Sequence, residues 1–504
     1  MSHLLSWLPF IGPLGLAALG LLPPGRGPAD PPRRAARAAA ASLLTVAAAM
    51  LAFALRPPVG GGAPDALGAT MLTLVAFVGA VVLRYSRNYL AGDPRQDRFV
   101  RLLSLTLAAI LVMVLSSNLL LTGLAWLATG VGLRRLLTFY AARQAARLAA
   151  RKNLIVSRAA DLCLLAACAI LYARAGSLDY ADLRAMAEPA PAAALLIAAA
   201  ALLKSAQVPV HGWLLEVMET PTPVSALLHA GIINGGGFVL LRMAGVLDGA
   251  PAALALLAIV GAVTAILGSL VMLTQTSVKV SLAYSTVAQM GFMMLEIGLG
   301  AYAAAVLHMV AHALYKAHAF LSAGSVVDLA RAAWSPRPGE RPHPARFALA
   351  LVAALAIALV VGHAFGAGIV QAPGVAVLGA VLVMGLTQLL AQGLDARPSR
   401  VVVGRTVLLA LAVAIAYHAL QAASERLFAG TLPLHAPTSG LLDVVLAAFV
   451  IAAFAGLTVF QIVAVGHVDG PFWRALHAHV ANGFYLNTVV NRWLLQRPRG
   501  ERRA

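Results

Sequence analysis

Charge is what this chain has least of. Only 11% of its 504 residues are Asp, Glu, Lys or Arg, less than half the roughly 25% of a soluble domain. With 61% hydrophobic residues and a mean hydropathy of +0.86, that scarcity excludes a soluble globular protein. It also excludes intrinsic disorder, which requires low hydrophobicity. Cysteine is nearly absent, and the two present, Cys163 and Cys168, fall in one apolar run. They read as buried apolar residues, which excludes a disulfide framework and an iron–sulfur centre. No Walker phosphate loop and no glycine-rich dinucleotide fingerprint occurs, so neither ATP hydrolysis nor redox chemistry is indicated in this chain. Acidic residues number 19 against 37 Lys and Arg, a net charge of +18. The excess does not indicate a nucleic-acid partner, because the basic residues sit in short loops between apolar runs.

What is present is hydrophobic sequence in pieces of span length. A membrane helix takes about 20 residues. Apolar segments recur at 4–22, 39–55, 66–83, 102–116, 118–133, 154–172, 190–215, 222–241, 252–272, 280–299, 301–321, 346–362, 374–394, 403–419 and 441–465. They predict an all-α polytopic membrane protein, a bundle of about 14–15 transmembrane helices. The bundle takes residues 1–466, and 467–504 form a basic and aromatic tail at the cytoplasmic interface. The first apolar run has no basic leader and reads as a retained span rather than a cleaved signal. Ser116-Ser117-Asn118 marks the turn between the fourth and fifth spans. Pro209 interrupts the long seventh span and predicts a broken helix there.

The basic residues test this list. Of the 37 Lys and Arg, 30 lie in odd-numbered loops, in the helix turns bordering them, or in the tail; five lie on the even-numbered side. The positive-inside rule then puts the odd loops and the C-terminus in the cytoplasm, the N-terminus outside, and the chain in the cell inner membrane.

The remaining two, Lys204 and Lys316, are inside spans. An ionisable residue at bilayer depth is costly and is a functional candidate by default. Lys204 sits about fourteen residues into its span, beside Ser205, Gln207 and Pro209, where opened backbone is expected. It reads as a proton-exchanging group or as a structural lysine paired with a carboxylate. Asp161 is a candidate counter-ion for such a lysine, or else a local partner of Arg158. Glu216 and Glu219 end the same span three residues apart and share a face; a solvated helix end is the competing reading. His211 and His229 flank the region and suit a proton relay if they approach Lys204. His308, His312 and Lys316 fall at i, i+4 and i+8, one stripe about 12 Å long on one helix. They read as a proton wire. Zinc binding by the histidine pair is the alternative, but no third ligand is evident, so no metal site is assigned.

Three stretches carry a resemblance: Lys204-Ser205-Ala206-Gln207-Val208-Pro209 through Pro221-Thr222-Pro223-Val224-Ser225-Ala226-Leu227-Leu228-His229-Ala230; Leu282 to Gly291; and His308 to Ser325. Over residues 66–330 the chain resembles the proton-conducting membrane transporters, which include subunit 5 of respiratory complex I and Mrp-type antiporter subunits. The resemblance implies an antiporter-like bundle with broken helices and a proton path through Lys204, His229, His308, His312 and Lys316. Departures from complex I are visible. Leu127 follows Trp126 where those subunits carry a glutamate, Ser277 replaces an aspartate, and the span 374–394, where a second broken helix is expected, offers Gln388 and Gln392 but no lysine. Tyr85 to Gln96, His229 to Phe238 and Tyr315 to Phe320 are similar to the DabB branch of inorganic carbon transporters. That likeness implies a cation-conducting subunit, itself no enzyme. It would drive CO2 hydration to bicarbonate by a large peripheral, carbonic-anhydrase-like subunit of the DabA type on the cytoplasmic side. The only cofactor implied, zinc, belongs to that partner; the other contact is membrane lipid. The alternative is a proton-pumping subunit of an NADH:quinone oxidoreductase or a cation/proton antiporter.

Overall fold

The computed structural model describes residues 8–24, 27, 30–55, 65–186, 188–324, 344–366, 373–393, 399–433, 440–465 and 470–495. Among them every regular element is helical, apart from one isolated bridge between Asn118 and Asp179. All-helical structure follows from the setting: with no water to satisfy the backbone, a lipid-spanning chain closes its own hydrogen bonds. Among the described residues, eleven helices are long and apolar enough to cross a membrane, and shorter apolar helices add Leu8–Leu21, Pro191–Lys204 and Val444–Phe460.

The first six α-helices are α1 (Ile11–Leu21), α2 (Asp30–Ala54), α3 (Ala66–Tyr89), α4 (Gln96–Leu115), α5 (Leu119–Leu137) and α6 (Gln144–Ala175). Local chemistry sets their ends. Asp65 caps α3 by accepting from the Gly68 amide at 2.8 Å. Asn118 accepts from the Leu120 amide at 3.0 Å and starts α5 at the expected turn. Gly176, at φ +67°, stops α6 in the left-handed conformation that glycine adopts freely. Helix α6 begins ten residues before the apolar run that announced it, so the basic stretch before residue 154 is helical rather than loop.

The centre of the bundle is built from interrupted helices. After α7 (Pro191–Lys204) the backbone opens: Ala206 takes a φ of +51°, Val208-Pro209 is cis, and helix resumes only at α8 (Gly212–Leu215). The freed groups find other partners, the Val208 amide donating to Thr264 Oγ1 at 3.1 Å and Gln207 Nε2 to the Ser205 carbonyl at 2.9 Å. The stretch read as one span at 222–241 is also broken, into α9 (Thr222–Ala230), a short 3-10 turn and α10 (Gly235–Arg242). By contrast α14, over Pro373–Gly393, is one continuous helix, so the interruption expected in 374–394 is not there.

Helices α11 (Pro251–Leu273), α12 (Val278–Gly298) and α13 (Tyr302–Leu321) complete the core. α11 and α12 pack backbone to backbone: a Cβ on Gly261 would come within 2.6 Å of the Gly291 carbonyl. Small residues at such contacts are how membrane helices gain packing without a hydrophobic driving force. Around them lie α14, the helix Pro344–Ala364, α15 (Arg400–Phe428) and α16 (Leu441–Val465), with Leu408, Val360 and Leu441 turned outward.

Candidate functional site

Two lysine-centred groups occupy the core. Lys204 closes α7 where the backbone opens, and its Nζ lies 3.4 Å from Asp161 Oδ1. Arg158 Nη2 is 3.2 Å from the other oxygen of the same carboxylate. Both readings of Asp161 are therefore present together: it is a local partner of Arg158 and a counter-ion of the buried lysine. Trp126 lies with its ring 5.5 Å beneath Lys204 Nζ, a cation–π contact. A cavity of about 20 Å³ lies beside the lysine, lined by Trp126, Gly130, Asn153, Ser157, Trp213 and Gly235. It has room for about one water. Asn153, Ser157 and Asp161 are four apart on α6, so one stripe of that helix leads from the lysine toward the N-terminal end of α6.

Glu216 is not beside Lys204. It holds Lys152, whose Nζ donates to Glu216 Oε1 at 2.5 Å and to Asn487 Oδ1 at 2.6 Å. Asn491 Nδ2 also donates to Glu216 Oε1, at 2.9 Å. Both asparagines come from a C-terminal helix, Leu486–Leu495, so part of the tail is locked against the bundle. Glu216 therefore does not serve as counter-ion to Lys204; Asp161 is closer along the helix that faces it. His211 is buried near the Tyr284 ring, 6.1 Å between centroids, rather than paired with Lys204, whose ionic partner is Asp161. The Glu219 side chain lies outside the described residues.

The second group runs along α13. Lys316 is fully buried, and its Nζ donates to the Leu282 carbonyl at 3.0 Å; among the described residues no carboxylate pairs with it. His312 lies against the backbone carbonyl of His229. The His229 ring stacks on Phe320 at 4.3 Å, and its Nδ1 is 2.9 Å from Thr286 Oγ1. The α9 histidine is thus joined to both α12 and α13. His308 is 6.3 Å from His312, centroid to centroid. Its Nδ1 is 2.9 Å from Glu296 Oε2 and its Nε2 2.6 Å from Gln289 Oε1. His318 is exposed and off the stripe. Among the described residues no group of three or more His, Cys, Asp or Glu could hold a metal ion.

Several buried polar atoms have no protein partner: Gln207 Oε1 and Asn234 Oδ1 at the two helix breaks, and His229 Nε2 and His312 Nε2 in the second group. Buried polar groups are normally satisfied. Unpaired groups at the breaks and in the histidine row make the core more polar than a bundle of this composition otherwise would be. Sequence reasoning missed Lys152, Glu296 and the two asparagines. Glu296, near the end of an apolar run, reads in the sequence as an ordinary solvated carboxylate; Lys152 was hidden because α6 extends into what read as loop.

A carboxylate-paired lysine at a helix break, with a histidine row on a long helix of the same core, defines a polytopic antiporter-like membrane subunit. Comparison with known proteins agrees. The family model described as NADH:quinone oxidoreductase/Mrp antiporter, TM matches residues 116–333, and that for the complex I chain 5 N-terminus matches 63–100. The probable inorganic carbon transporter subunit DabB2 of Halothiobacillus neapolitanus is 42% identical over 439 residues, 85% of this chain and 79% of that one. The probable DabB subunit of Hydrogenovibrio crunogenus is 46% identical over 270 residues, 52% of each chain. NADH-quinone oxidoreductase subunit L of Escherichia coli is 39% identical over 275 residues, 52% of this chain and 44% of that one. In fold, a chain of the Mrp complex from Dietzia sp. matches at a TM-score of 0.63 and 24% identity, over 98% of this chain and 59% of that one. The chain belongs to the complex I subunit 5/Mrp antiporter-like family of proton-translocating membrane subunits.

Proposed function

We propose that this chain carries protons through the membrane as the conducting subunit of an inorganic carbon uptake system. The observation that supports it most is the Lys204–Asp161 pair, set at a helix break in the same core as His229, His312 and His308. An ion pair that serves only stability gains little over apolar packing at this depth, whereas a relay needs titratable groups in series. The names of the two DabB relatives supply the substrate side of the proposal.

Conduction would proceed from the cytoplasmic side along Asn153 and Ser157 to Lys204, and onward to the histidine row. The chain itself would do no bond-making chemistry. CO2 hydration would fall to a peripheral carbonic-anhydrase-like partner, which would hold the zinc and dock on the basic cytoplasmic loops. In this reading the protein sits in the cell inner membrane with its N-terminus outside and its C-terminus inside. A second reading, a pumping subunit of a quinone reductase, draws on the likeness to subunit L. Against it, Trp126 faces Lys204 with Leu127 next to it in place of a glutamate.

The test is rescue of a carbonic-anhydrase-deficient bacterium in ambient air, with this gene alone and with its neighbouring large gene. Growth that requires both genes and is lost with Lys204→Ala supports the proposal. No growth, with both proteins shown to be expressed and assembled, moves the assignment to the quinone-reductase reading.

A further inference from the structure

The histidine row needs an outlet on the side away from the basic loops, and the lysine that the resemblance leads one to expect in α14 is missing. Glu296 stands in that direction. It lies two residues from the end of α12, only 4% exposed, on the side of the bundle where α13 begins. Its Oε2 is 2.9 Å from His308 Nδ1. The other nitrogen of that ring faces Gln289 Oε1 at 2.6 Å. Acceptor oxygens on both nitrogens are the arrangement that a doubly protonated imidazole satisfies.

The surroundings of Glu296 continue outward. Tyr417 on α15 is within electrostatic reach of both Glu296 and Glu425. Glu425, eight residues further along the same helix, is exposed and accepts from Gln421 Nε2 at 2.8 Å. α15 is tied to the start of α13 by Ser424 Oγ, which donates to the Ala303 carbonyl at 2.8 Å. From α13, His308 and then His312 face the carboxylate's side; α11, packed along the rest of α12, carries no titratable residue.

We propose that Glu296 is the outward proton acceptor of the histidine row, with Tyr417 and Glu425 as its path to the surface. The inference rests on the proton-conducting reading above. His308 gives the proton on Nδ1 to Glu296 Oε2, which leaves a neutral imidazole and a neutral carboxylic acid. The acid then releases the proton toward Tyr417 and Glu425 and returns to the carboxylate, while the imidazole is recharged from the His312 side.

The experiment is proton flux through the full-length chain in liposomes, followed by an internal pH dye across a range of pH. It is paired with 15N spectra of labelled histidine. Glu296→Gln is expected to lower flux at least about tenfold, as loss of a positioned proton acceptor does, and to move the His308 resonances. Glu296→Asp is expected to keep part of the flux with an altered pH profile, and Glu425→Gln to act only weakly because water can replace it. Wild-type flux that Glu296→Gln leaves unchanged, at the same pH profile, overturns the outlet while leaving conduction in place. A wild-type chain without any flux overturns conduction itself, and the outlet falls with it.

Discussion

The molecule buries two lysines in its core and treats them differently. Lys204 has a carboxylate at 3.4 Å, an arginine behind that carboxylate, an aromatic face and a small cavity. Lys316 has a backbone carbonyl at 3.0 Å and the Tyr315 ring at 5.5 Å, but no carboxylate partner among the described residues. Adding or removing a proton at Lys204 is compensated by Asp161, so the charge there can be held. At Lys316 nothing acidic among the described residues compensates, so each protonation change is felt by the nearest polar groups, His312 and His229. One lysine is a store with a counter-ion; the other is a poorly compensated charge inside the relay.

The largest expected effect tests the paired lysine. Asp161→Asn leaves Lys204 buried without its carboxylate. Removing one partner of a buried pair destabilises by about 3–5 kcal/mol, so the melting temperature in detergent should drop clearly and flux should vanish. Lys204→Met in the same background should restore much of the stability without restoring flux, because well-packed apolar replacement of a buried pair is near neutral. Melting at the wild-type temperature for Asp161→Asn alone would remove the distinction between the two lysines.

The unpaired lysine should behave in the opposite way. Lys316→Met should melt at or above the wild-type temperature, since no partner is orphaned, yet lower flux by about tenfold, ~1.4 kcal/mol on the barrier. A large loss of stability would reveal a partner for Lys316 and break the comparison from the other side.

Smaller effects come from the groups that hold the two sites in place. Thr286→Val removes the hydroxyl at His229 Nδ1. A hydrogen bond of this kind is worth about 1 kcal/mol, so flux should fall several-fold with little change in melting. Asn487→Ala with Asn491→Ala should free the C-terminal helix from Lys152 and Glu216, seen as faster proteolysis of the tail. Flux should change by no more than about threefold, a loss of the order of one net hydrogen bond. Unchanged proteolysis would mean that the ion pair does not anchor the tail.

Legibility followed the physics of burial. The apolar runs announced the long helices because their period and length are set by lipid, and Lys204, His308, His312 and Lys316 stood out because each is a polar residue in such a run. Asp161 stood out for the same reason, though its two partners could not be chosen from spacing alone, and the structure shows that both are used. Gly231 gave no warning of the break in 222–242, since glycine is common in membrane helices and no proline accompanies it there. Lys152 lay in a basic stretch that read as loop, because α6 runs past the membrane-like segment. Asn487 meets it, and Asn491 meets its partner Glu216, only through tertiary packing across 335 and 275 residues of chain, which no local pattern encodes. Glu296 sat near the end of an apolar run, where a solvated carboxylate is the ordinary reading, and only its contact with His308 sets it apart.

The most direct test of the account is proton flux in liposomes for the wild-type chain and for the Lys204→Met, Asp161→Asn double variant, each verified as folded by its melting curve. The account predicts steady flux in the wild type and none in the stable double variant. Equal flux in both would contradict it, because protons would then cross the bundle without the pair at the helix break.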